Sequence, residues 1–118
     1  MSATAGTSVA ALELWQTEWC PASHRVRQRL TELGLSYLAR QVPVERDQRA
    51  DLERATGHRS IPVLVAGGEV VAGEEAIVTY LNNHFAESPE AERQRVKAAK
   101  AREKELEQAC LKFAAATR

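Results

Sequence analysis

A chain of 118 residues makes one domain, with room for a single core and not for two. Its 16 lysines and arginines balance 16 aspartates and glutamates, so no bulk charge draws it to nucleic acid or to an anionic membrane surface. No apolar run is long enough to cross a bilayer, and Cys20 and Cys110 lie in different kinds of segment, which speaks for a reducing cytoplasm rather than a structural disulfide.

Residues 1–10 have no basic region followed by an apolar one, so they read as a flexible leader and not a signal peptide. Ala11 to Trp15 is apolar on both sides except for Glu13, the pattern of an interior strand covered on both faces. From Pro21, the residues Val26, Leu30 and Leu33 fall on one face of a helix, and Gly34 closes it as a left-handed cap. Ser36 to Val42 alternates as a second strand that Pro43 ends.

Arg46 to Thr56 predicts a short, polar second helix with Leu52 and Ala55 turned inward, marked by Asp47 near its start and Gly57 past its end. Ile61 to Ala66 is a third strand, Gly67-Gly68 a tight turn and Glu69 to Ala72 a fourth strand, antiparallel to the third. Gly73-Glu74-Glu75 opens a helix whose apolar face is Ala76-Ile77, Tyr80-Leu81 and His84-Phe85. The order β-α-β-α-β-β-α, read as two βαβ-type crossovers and a terminal hairpin, builds an α/β fold: a four-stranded mixed sheet with helices on both faces.

The first candidate site is the stretch Trp19-Cys20-Pro21-Ala22-Ser23-His24-Arg25. A cysteine before an N1 proline sits at the mouth of a helix, where free backbone N–H groups and the positive end of the helix dipole favour the thiolate. The thiolate is the reactive form. A buried, inert cysteine is the alternative, and the strand, loop, cysteine, proline, helix order opposes it by placing the sulfur at a strand's C-terminal edge.

Three features in this order resemble a glutaredoxin: the Cys20-Pro21-Ala22-Ser23 turn after the first strand, Ser60-Ile61-Pro62 entering the third, and the Gly73-Glu74-Glu75-Ala76-Ile77 helix start. They are equally similar to the N-terminal thioredoxin-fold domain of a cysteine-type glutathione transferase, over roughly residues 11–85. The resemblance implies a thioredoxin-like fold, with Cys20 as the nucleophile that forms a mixed disulfide. It implies a cis bond before Pro62, so that the Ile61 backbone pairs with a bound tripeptide like an added strand. It also implies that Glu74 and Glu75, at the start of the last helix, receive the γ-glutamyl end of glutathione.

The chain departs from a dithiol glutaredoxin at Ser23, which leaves a monothiol route resolved by a second thiol molecule. Ser23 is either a hydroxyl donor to the thiolate or simply a good helix-start residue. Glu18 is an acid where many relatives carry a lysine nearby, and it opposes thiolate formation. Trp19 and Pro21 are read as substrate contacts, Trp19 alternatively as a packed rim residue. Arg59 is either a carboxylate ligand or a solvated loop arginine; Gln16 and Arg40 are weaker candidates. His24 reads as a surface histidine, since backbone and dipole activate the sulfur in this fold, and no Cys and His pair has metal-ligand spacing.

Residues 88–118 form a separate charged, alanine-rich segment holding every lysine, after a thioredoxin-fold unit at 11–87. Ser88-Pro89-Glu90 starts a helix on which Val96, Ala99, Leu106, Cys110 and Phe113 make a sparse apolar stripe interrupted by Glu103. That helix either lies across the body, with Cys110 buried, or pairs with its twin in a homodimer. Together these features predict a cytoplasmic monothiol glutaredoxin-like thiol-disulfide oxidoreductase acting through Cys20. It would hold no tightly bound cofactor, use glutathione or another low-molecular-weight thiol as co-substrate, and take protein or small-molecule disulfides as partners. The alternatives are a glutathione transferase N-terminal-like binding module, an iron–sulfur cluster carrier or adaptor bridged across a dimer, and a degenerate domain that retains only the fold.

Overall fold

The computed structural model describes residues 12–116, so the expected leader at 1–10 and the start of the first strand at Ala11 lie outside the described residues. Strand β1 (Leu12–Gln16) leads into helix α1 (Pro21–Glu32) and strand β2 (Leu38–Gln41). A 3-10 turn (Arg46–Gln48) and helix α2 (Ala50–Thr56) precede the hairpin β3 (Val63–Ala66) and β4 (Glu69–Ala72). Helices α3 (Glu74–His84) and α4 (Ala91–Ala116) complete the chain.

The sheet order is β2-β1-β3-β4, with β1 parallel to β2 and antiparallel to β3. Strand β3 is antiparallel to β4, as the glycine pair predicts. This is the expected four-stranded mixed sheet, with one correction: only β1-α1-β2 is a parallel crossover, because β3 runs against β1. Alternation along β1 divides the core between the two faces. Leu12 and Leu14 pack with Val26, Leu30, Leu33, Leu64, Ile77 and Leu81 under α1 and α3. On the other face Trp15 packs with Val42, Leu52 and Val63.

Two helices and one strand differ in detail from expectation. The 46–56 segment breaks at Arg49, which is 7% exposed and donates to the carbonyls of Pro43 (2.8 Å), Val44 (3.0 Å) and Arg59 (2.9 Å). The remaining seven-residue helix spans two turns and reaches the core through Leu52 alone, so Ala55 is exposed. In α3 the buried residues are Ile77 and Leu81, while Ala76 and His84, displaced around the helix, face solvent. Strand β2 is shorter than Ser36–Val42 and exposed at all four residues, because it is a sheet edge.

Gly34 ends α1 at φ +68, with its N–H on Thr31 (3.0 Å) and the Leu35 N–H on Leu30 (3.0 Å). That pair of bonds is a Schellman closure, for which glycine is suited. Beside it the Ser88 N–H donates to the Glu32 carbonyl (3.0 Å), anchoring the start of the tail. Ser88 caps as predicted, its Oγ accepting from Glu90 (3.2 Å), and α4 begins slightly later, at Ala91. Arg95 then joins Glu32 (3.1 Å) and Glu87 (2.8 Å), and Arg29 also meets Glu87 (2.6 Å). Glu87 is held at about 2 by hydrogen bonds from Arg95 and Arg29. From residue 101 to 115 every side chain of α4 is exposed, so Cys110 is exposed and not buried as the stripe suggested. No helix among the described residues is long and apolar enough to cross a membrane.

Candidate functional site

Cys20 is the N-cap residue of α1, in extended backbone (φ −80, ψ 120) with Pro21 in the first turn. Its Sγ accepts the Ser23 N–H at 3.4 Å. The unbonded N–H groups of a helix start therefore converge on the sulfur, as an N-cap oxygen would have them do. Ser23 is fully buried, and its Oγ accepts the Thr17 N–H (3.4 Å). Accepting that N–H leaves the hydroxyl proton free to rotate toward Cys20, whose pKa it helps lower.

Burial pushes the Cys20 thiol up, but the Ser23 hydroxyl, the N–H groups of Ser23 and Ala22 and the charge on Arg27 together outweigh it. The thiol therefore titrates below its ordinary value. Arg27 also answers the expected opposition from Glu18: the two pair at 3.3 Å, with Glu18 almost fully in solvent. The same guanidinium bonds the Thr17 carbonyl (3.2 Å) and the Gln16 side chain, so it holds the loop that delivers the cysteine.

An open cleft of about 900 Å³ lies over the sulfur. Trp19, Pro21 and Val78 form its apolar part, and Trp19 is 59% exposed, the position of a wall and not of a packed rim residue. Glu74 enters from the first turn of α3 and is clasped by Arg25, whose Nη2 donates to Oε1 at 2.9 Å while Nε bonds the other oxygen. That pairing holds the Glu74 carboxyl below its ordinary value. Arg102 and Glu105 of α4 line the far side.

The Ile61–Pro62 bond is cis. Trp15 pairs with Val63, so Pro62 and Ile61 lie at the end of β1 from which the Cys20 loop departs. Other predicted residues are held elsewhere. Arg59 is engaged by Glu53 (2.7 Å) and the Arg46 carbonyl (2.9 Å), outside the cleft lining, which is the loop-arginine reading. Glu75 is exposed and does not line the cleft. Arg40 pairs with Glu13 (3.3 Å) and sits over the Trp15 ring, and Gln16 is buried against Gln41 and Arg27. His24 lines the cleft, whereas His84 bonds the Tyr80 carbonyl (2.8 Å). Among the described residues no group of His, Cys, Asp and Glu is arranged to hold a metal ion.

Sequence reasoning placed Arg25 in the candidate stretch without giving it a role, and missed Arg27. The available signal was local: α1 has no acid in its first turn and carries two early arginines, where the dipole disfavours cations. Arg102 and Glu105 had no signal, since their place depends on how α4 lies against α1.

Residues 14–89 match the family described as glutathione S-transferase, N-terminal domain. Among solved structures the chain is similar to a rice glutathione S-transferase crystallised with glutathione, at 29% identity and TM-score 0.55, over 62% of this chain and 33% of that one. It is also similar to a trimeric glutathione transferase of Leishmania, at 26% identity and TM-score 0.58, over 64% of this chain and 17% of that one. A glutathione S-transferase from the Antarctic clam, at 18% identity and TM-score 0.58, shares the fold. No curated protein matches the sequence. The chain thus spans about a third of the length of the rice enzyme.

Proposed function

Since this chain belongs to the glutathione S-transferase N-terminal domain family, we propose that it is a monothiol thiol-disulfide oxidoreductase built on that domain, with Cys20 as nucleophile and glutathione or a similar small thiol as co-substrate. The observation that carries the proposal is the convergence on one sulfur of the Ser23 hydroxyl and the Ser23 and Ala22 N–H groups, beneath an open cleft. These donors stabilise the thiolate without a histidine base.

The Cys20 thiolate attacks one sulfur of a mixed disulfide, forming a new S–S bond to Cys20 and releasing the other sulfur as a thiolate. A second thiolate attacks the Cys20-linked disulfide at the outer sulfur, returning Cys20 as thiolate and leaving a small-molecule disulfide. Each step exchanges one S–S bond for another, and the released thiolate takes its proton from water. Ser23 holds the sulfur's charge in both directions, which a second cysteine in the turn would replace by internal closure.

In this reading Trp19 and Pro21 shelter the bound thiol, the Ile61 backbone beside Pro62 pairs with it, and Glu74 receives its ammonium. The two cysteines are free, which supports a reducing cytoplasmic setting. With Cys110 replaced by serine, exposure to oxidised glutathione should add one glutathione mass to the protein, and adding Cys20→Ser should abolish the adduct. An adduct that persists in the double variant, or none in Cys110→Ser, overturns the proposal. A second reading, a glutathione-binding module without redox turnover, is favoured by the family match itself. It predicts glutathione binding by calorimetry with no reduction of a mixed-disulfide substrate.

A further inference from the structure

The residues of α4 turned to the body recur at Ala91, Arg95 and Ala98, and the same steps of three and four carry that line on to Arg102 and Glu105. Ala91 is buried and Arg95 is held by Glu32 and Glu87, so the first part of the line is fixed on the body. At Arg102 and Glu105 the body falls away into the cleft over Cys20, and both side chains line it. Lys100 and Lys104, on the same turns, do not. The other charges of the cleft are already matched: Arg25 with Glu74, Arg29 with Glu32, and Glu18 with Arg27. Among the described residues the side chains of Arg102 and Glu105 have no hydrogen-bonding or ion-pair partner, each other included. A cation and an anion one turn apart, both facing a reactive sulfur, match a ligand head that carries both charges.

We propose that Arg102 and Glu105 form a second head-group subsite, and that the cleft takes a disulfide with an amino-acid head on each of its two arms. This rests on the thiol-exchange reading above. One arm meets Arg25 and Glu74 and stays on Cys20; the other sets its carboxylate against Arg102 and its ammonium against Glu105. The Cys20 thiolate attacks the sulfur of the first arm, the S–S bond between the arms breaks, and the second arm leaves as a thiolate beside α4. The reverse attack passes through the same positions, so the thiol that later releases the first arm enters by the same subsite. A cleft of about 900 Å³ has room for both arms. Its apolar part, Trp19, Pro21 and Val78, lies on the α1 and α3 side, so an apolar second arm finds no counterpart on α4.

The test measures the second-order rate of adduct formation on Cys20 by mass spectrometry, in the full chain carrying Cys110→Ser. The probes are oxidised glutathione and the uncharged disulfide of mercaptoethanol. Arg102→Ala should slow the reaction with oxidised glutathione about threefold, the scale of one exposed ion pair, and leave the uncharged disulfide unaffected. Glu105→Ala should slow it by a similar factor. Removing an acid would instead speed an anionic disulfide if only the general field of the protein mattered, so the sign separates a subsite from steering. Lys100→Ala, which removes a cation of the same helix outside the cleft, should change neither rate. Equal slowing of both disulfides by Arg102→Ala, slowing by Lys100→Ala to the same extent, or a faster reaction in Glu105→Ala overturns the subsite. Adduct formation from neither disulfide overturns the thiol-exchange reading and the subsite with it, whereas adducts formed at rates indifferent to these substitutions overturn the subsite alone.

Discussion

Removing the Ser23 hydroxyl tests whether it sustains the Cys20 thiolate. The side chain is fully buried, takes the Thr17 N–H at 3.4 Å and lies beside the sulfur, so Ser23→Ala deletes a donor to a charged acceptor. A hydrogen bond to a charged group contributes roughly 1.5–3 kcal/mol when well shielded, and the half-open setting of Cys20 reduces that to about 1 kcal/mol. Since 1.36 kcal/mol is a tenfold change in a protonation equilibrium, the thiolate fraction on the acid side of the titration should fall about fivefold. The assay is the rate of iodoacetamide alkylation of Cys20 against pH, read by mass spectrometry with Cys110 replaced. The variant's curve should move to higher pH with an unchanged plateau. Superimposable curves for variant and wild type would refute the argument, because the backbone N–H groups would then account for the whole effect. Thermal melting serves as the control, since the orphaned Thr17 N–H should itself cost about 1 kcal/mol of stability.

Two further outcomes follow from the packing and the charge network. Glu87 titrates at about 2 in the folded chain against an ordinary 4.5, so its grip on Arg95 and Arg29 is complete above the ordinary value and is lost as pH falls toward about 2. Protection factors at residues 91–98, taken relative to the intrinsic exchange rate at each pH, should therefore fall across that window, and Glu87→Gln should flatten the response. Leu14, fully buried on β1, should cost about 2–5 kcal/mol as Leu14→Ala in urea unfolding, whereas the half-exposed Leu38→Ala should stay within about 0.5 kcal/mol.

The parts of the fold legible in the sequence were those written by short-range chemistry. Pro21 after Cys20, Gly34 and Gly57 at helix ends and the Gly67-Gly68 turn each dictate a local backbone state, and each stands where expected. Strand direction was less legible, because nothing within Ile61 to Ala66 records that it runs against β1; that depends on which neighbour it finds. The break at Arg49 was invisible for a related reason: its three carbonyl partners come from both sides of the helix and only converge after folding. The positions of Cys20, Trp19, Pro21 and Glu74 about one cleft, with Ser23 beneath Cys20, were readable because a cap, a turn and a helix start are local motifs. Arg59 misled because its loop adjoins Ser60-Ile61-Pro62 in sequence, while its guanidinium turns back to Glu53.

The ion pair over the cleft bears on what ligand the thiol meets. Glu74 occupies the first turn of α3, where free N–H groups and the dipole would otherwise invite a ligand's carboxylate, and Arg25 holds it there by both oxygens. A ligand with a carboxylate alone meets a site already supplied with one and must displace it. An amino-acid head carries both charges, so its ammonium can take Glu74 while its carboxylate takes Arg25, and one exposed pair is exchanged for two shared with the ligand. The exchange starts from a weak interaction, since Arg25 is 58% exposed and the pair is screened. The clasp therefore presents a low barrier to a zwitterionic thiol such as glutathione and a poor match to a purely anionic or apolar one. Selectivity then arises at the head group, about α3, while Ser23 and the α1 terminus govern the sulfur, so the two properties can vary independently.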